Sequence, residues 1–75
     1  MGKLLIMDPR KGHVTVEYEL EKPETVAEAQ RVFSEVLQLG YMAYEFPVKG
    51  GGGVATRQFN PLAEEVVMAL PMAGG

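Results

Sequence analysis

The chain has no cysteine, no tryptophan and a single histidine, His13. Without cysteine there is no disulfide framework, no thiolate nucleophile and no thiolate-ligated metal, so the core is held by packing alone. A lone imidazole would need carboxylates such as Glu17 to hold a metal, and beside Gly12, where a strand should start, His13 reads as a surface turn residue. Long apolar runs are also missing. Leu4-Leu5-Ile6-Met7 is too short for a signal-peptide core and shorter still than a membrane span, which gives the expectation of a soluble, cytoplasmic protein without membrane partners. Basic residues are few and scattered (Lys3, Arg10, Lys11, Lys22, Arg31, Lys49 and Arg57), and the formal charge is −3. Nucleic-acid binding draws on clustered Lys and Arg, so it is not expected. Only Lys49 and Arg57 are placed to meet, across a hairpin.

Seventy-five residues make one domain, near the size at which a single core gives roughly 3–5 kcal/mol of net stability, with no room for a deep cleft. Catalytic pairings are absent too. Glu17 and Glu21 would share a strand face but stand too far apart for a tight general acid and base. Gly50 to Gly53 lack the following Gly-Lys-Ser/Thr and helix of a phosphate cradle. The chain is therefore expected to be no enzyme and to carry no cofactor.

What is present is a sequence of regular elements. Lys3 to Met7 suits a buried strand, and Asp8-Pro9-Arg10-Lys11-Gly12 supplies a turn. His13 to Glu21 alternates strictly, with Val14, Val16, Tyr18 and Leu20 on the face expected to be buried, which predicts a strand paired to the first as a hairpin. A helix opens near Pro23, either capped by Thr25 and Glu28 at capping-box spacing or with Pro23 in its first turn. Val26, Ala29, Val32, Phe33, Val36 and Leu37 form its apolar stripe, and Gly40 is its natural stop. Tyr41 to Val48 predicts a strand, with Pro47 suggesting a sheet edge. After the glycine hairpin, Val54 to Phe59 predicts a strand, Asn60 to Glu64 a capped helical turn and Val66 to Leu70 a last buried strand. Met42 and Met68 are expected in the core, and Met72 exposed as a partner contact.

The order ββαβββ, with one helix across a mixed sheet and the last strand beside the first, predicts an α+β ubiquitin-like β-grasp; an α/β sandwich of another strand order is the competitor. The last twelve residues, from Glu64 to Gly75, place an acidic residue before a strand, then Pro71, then Gly74-Gly75. This segment resembles the end of the ubiquitin-like sulfur carriers of the molybdopterin-synthase small-subunit and thiamine-carrier type. No arginine precedes the glycines, unlike eukaryotic ubiquitin. The resemblance implies a domain over residues 1–71 and a presented tail over 72–75. An adenylating enzyme would act with ATP on the Gly75 carboxylate, because a tail without side chains threads a narrow channel and allows close backbone approach. Gly75 and Gly74 would then be the site of adenylation, thiocarboxylate formation or conjugation. Pro71, Met72 and Ala73 would contact the partner, and a sulfur-transfer enzyme or acceptor protein would take the product. The alternative is a small structural or assembly protein, such as a phage virion subunit, that uses its sheet for packing.

Overall fold

A computed structural model describes residues 1–10, 12–48 and 51–71. Five strands, β1 (Gly2–Asp8), β2 (Gly12–Tyr18), β3 (Met42–Phe46), β4 (Val54–Thr56) and β5 (Glu65–Ala69), accompany one helix, α1 (Pro23–Gln38). They form one sheet in the order β2-β1-β5-β3-β4. β1 and β5 run parallel at its centre, and the other pairings are antiparallel. The single helix, placed between the two hairpins, makes this the ubiquitin-like β-grasp arrangement.

Strand registers decide which side chains meet the helix. One row runs Val16–Leu4–Val66–Glu45–Val54, and the next Val14–Ile6–Met68–Ala43–Thr56. Their central members, Leu4, Ile6, Val66, Met68 and Ala43, are buried with Ala29 and Phe33 of α1. The outer members fare differently: Val14 is 41% and Val54 60% exposed. One helix about 10 Å wide cannot cover the whole face of a five-stranded sheet; it lies nearest β2, covering that strand at Tyr18 and not at Val14. This is why Val14, expected inside from its alternation, lies outside. Leu20 is exposed as well, because β2 ends at Tyr18, and Glu19 to Lys22 form a turn closed by the Lys22 N–H donating to the Glu19 carbonyl (2.9 Å).

Tyr18 closes one end of the core. It is 1% exposed, its hydroxyl donates to the Ala63 carbonyl (2.9 Å), and its ring meets Phe59 edge-on at 4.9 Å between centroids. Phe59 in turn touches Phe33 of the helix at 5.7 Å. Directly across the ladder from Tyr18 is Gly2, and any Cβ there would drive into the phenol ring. Burial first, and then the nearby carboxylates of Glu64, Glu45 and Glu65, push the Tyr18 phenol up to about 12.

Local chemistry sets the remaining boundaries. Pro23 stands in the first helical turn, with Lys22 at the N-cap position. The capping box does not form: the Thr25 hydroxyl turns back, accepting from the Glu19 N–H (2.8 Å) and donating to the Lys22 carbonyl (2.7 Å). Gly40 ends the helix at φ +98°, its N–H donating to the Leu37 carbonyl (3.1 Å), in a conformation that favours glycine. β3 lies inside the sheet between β5 and β4, and Pro47 falls just beyond its end, so its lost N–H breaks no ladder and marks no edge. β4 is shorter than predicted because the Thr56 hydroxyl bonds Gln58 N–H and carbonyl (3.1 and 3.0 Å), turning the chain out of the ladder and Phe59 into the core. Asn60 to Ala63 form a turn and not a helix. The Ala63 N–H reaches the Asn60 carbonyl, and the Asn60 side chain accepts from Leu62 N–H, both at 3.0 Å.

The packing at Tyr18 generates two predictions. Replacing Gly2→Ala should destabilise the fold by about 1–3 kcal/mol in chemical denaturation, through overpacking against the ring. A phenol that titrates higher in the folded state than in the unfolded chain favours the fold while it is protonated. Its contribution is complete below pH 10.0 and is lost as pH rises through about 12. Tyr18→Phe should therefore cost on the order of 1–2 kcal/mol at neutral pH by stranding the Ala63 carbonyl, and should flatten stability against pH across that alkaline window.

Candidate functional site

The tail residues singled out from the sequence divide at Pro71. Pro71 is exposed and stands two residues beyond the end of β5, whereas Met72, Ala73, Gly74 and Gly75 lie outside the described residues. The hairpin residues Lys49 and Gly50 also lie outside them, and with them the expected meeting of Lys49 with Arg57. The structure does place the point from which the tail departs. Ala69, the last residue of β5, pairs with Met7 of β1 on one side and Met42 of β3 on the other. Leu70, 45% exposed, then joins Met7, Pro9 and His13 around an open cavity of about 340 Å³ beside the β1–β2 turn.

That departure point is on the rim of the sheet face opposite the helix. Nearest the rim runs the row His13–Met7–Ala69–Met42, and behind it Thr15–Leu5–Val67–Tyr44–Ala55. Glu17–Lys3–Glu65–Phe46 forms the third row, where a lysine stands between two glutamates. The first two rows are apolar across the middle strands. Met7, Met42 and Tyr44 are 40%, 41% and 37% exposed, and the Tyr44 hydroxyl lies 3.9 Å from the Met42 sulfur. Adjacent exposed methionines and an aromatic ring make a surface that adapts to a partner's shape.

Sequence reasoning did not assemble this patch. Met42 was expected in the core; it faces outward because its neighbour Ala43 takes the inward position opposite Met68. The run Leu4-Leu5-Ile6-Met7 looked wholly buried, yet Leu4 and Ile6 point to the helix while Leu5 and Met7 share the open face. A signal was available: both central strands are apolar on both faces, and a chain with one helix can cover only one of them.

Other chemistry is sparse. Among the described residues no group of three His, Cys, Asp or Glu side chains is placed to hold a metal, and no helix is long and apolar enough to cross a membrane. On the exposed surface of α1, Arg31 bonds Glu28 (2.6 Å) and Glu35 (2.7 Å). The bond from Arg31 holds the Glu28 carboxyl below its ordinary range. An exposed cluster of this kind on one helix face supports the helix modestly.

The two methionines at adjacent sheet positions should respond oppositely to substitution. Met68→Ala should cost about 2–5 kcal/mol by opening a core cavity, whereas Met42→Gln should change the unfolding midpoint by less than about 0.5 kcal/mol equivalent. Paired urea denaturations would check both. No protein-family model, curated protein or solved structure matches this chain.

Proposed function

We propose that this chain is a non-catalytic ubiquitin-like carrier or modifier, which docks on an adenylating enzyme through its open sheet face and presents Gly75 for activation with ATP. The observation that carries this reading is the exit of the chain: a central strand ends at the rim of the exposed apolar rows and leads through Pro71 toward Gly74-Gly75. On this reading Met42, Tyr44 and Val67 give the partner an apolar anchor, while Pro71, Met72 and Ala73 span the distance to its active site. The catalytic groups belong to the partner. The activated carboxylate then goes to a sulfur-transfer enzyme as a thiocarboxylate, or to an amine or thiol of an acceptor protein. Such chemistry suits the cytoplasm, where ATP is available.

The alternative reading, a small structural or assembly subunit, is favoured by a second apolar surface at the far end of the sheet. There Met1, Leu20 and Leu62 are 74%, 57% and 72% exposed around a small recess beside Tyr18.

Intact-mass analysis of the protein from its native host, purified without reductant, separates the two. A carrier shows oxygen replaced by sulfur at the Gly75 carboxylate, and a modifier leaves a branched peptide ending in Gly75 on a lysine. Recovery of the unmodified chain only within a stoichiometric particle, with function intact after removal of Gly74 and Gly75, would establish the assembly role instead.

A further inference from the structure

We propose that the groove between the C-terminal half of α1 and the edge strand β4 binds an extended segment of a partner protein, with Arg57 holding a carboxylate that the segment carries among apolar side chains. The groove exists because the helix lies nearest β2, at the opposite edge of the sheet, leaving the flank of β4 uncovered. Two cavities line up along it. One, of about 440 Å³, is walled by Tyr41, Ala43, Ala55 and Thr56; the other, of about 490 Å³, by Phe33, Ser34, Gln38 and Phe59. Leu37 and Arg57 line both, so the two cavities adjoin at these side chains.

Its charge is the informative feature. The chain has ten acidic residues, yet among the described residues no Asp or Glu lines either cavity, and Arg57 is the one charged side chain that does. Arg57 makes no hydrogen bond or ion pair among the described residues, whereas Arg31 and Lys22 are both paired with glutamates. A guanidinium beside an acid-free, partly apolar trough is a site for a planar carboxylate, which it can take in a two-point bond. The setting indicates a chain and not a compact molecule: the groove runs beside β4, which among the described residues pairs only with β3 and so leaves its other edge free to accept a further strand. Side-chain amides of Gln38 and Gln58 stand ready for backbone groups of such a segment. None of this involves the tail, so the inference stands or falls separately from the fate of Gly75.

The test is an amide-shift titration of the full chain with an acetylated, amidated pentapeptide of valines and leucines around one central aspartate, run beside its asparagine counterpart and octanoate. Expected are shifts at Leu37, Ala55, Thr56 and Arg57, slowed hydrogen exchange across Val54–Thr56, and binding of the aspartate peptide about fivefold tighter than the asparagine one. Arg57→Gln should erase that preference at an unchanged melting temperature, and Arg57→Lys should keep part of it. Equal affinity for the two peptides, or shifts confined to Leu5, Tyr44 and Val67 on the open sheet face, would overturn the proposal. Octanoate binding the same residues more tightly than the aspartate peptide would overturn the peptide class and leave a site for small carboxylates.

Discussion

The buried phenol of Tyr18 is the constraint on which the rest of the molecule depends. Its hydroxyl reaches a carbonyl 45 residues further along the chain, and its ring fills the space left by a glycine on the neighbouring strand. Through Phe59 the same ring is joined to the helix. Edge strand, irregular connection and helix are thereby fastened at one end of a core that no disulfide supports. In a domain this small a few kcal/mol is a large share of the total, so one satisfied hydrogen bond in a dry site matters more than several exposed ion pairs.

Fastening that end leaves the other free for display. The central parallel pair, β1 and β5, must be long and apolar to form the middle of the sheet, and parallel strands are ordinarily covered on both faces. Here one helix covers one face. The uncovered rows of Leu5, Met7, Val67, Met42 and Tyr44 are thus a direct outcome of putting a two-faced apolar strand pair into a chain with a single helix. The same shortage of helix explains the groove at β4 and the exposure of Val14 and Val54 at the two rims.

Much of the architecture was legible along the chain. Alternation, the helical stripe ending at Gly40, and the apolar run after Glu65 located all five strands and the helix, with errors confined to their ends. Those errors share a cause. Thr25, Thr56 and Asn60 each bond the backbone locally in ways that compete with regular structure, and spacing alone does not reveal which neighbour a short polar side chain will choose. The patch was harder to read than the fold, since an apolar residue looks the same whether it faces a helix or water. The tail could be read only as a resemblance over twelve residues.

The sequence by itself determined the element order, the composition of the core stripe on α1, and a surface chemistry without thiols or clustered cations. Tertiary structure decided which of two adjacent apolar residues turned inward, that Met42 stands exposed where Met68 is buried, and that Arg57 meets no carboxylate among the described residues. The physical reason is that periodicity assigns a residue to a face, whereas burial depends on what covers that face, and coverage is settled only when strands distant in sequence take their register and the one helix finds its place over them.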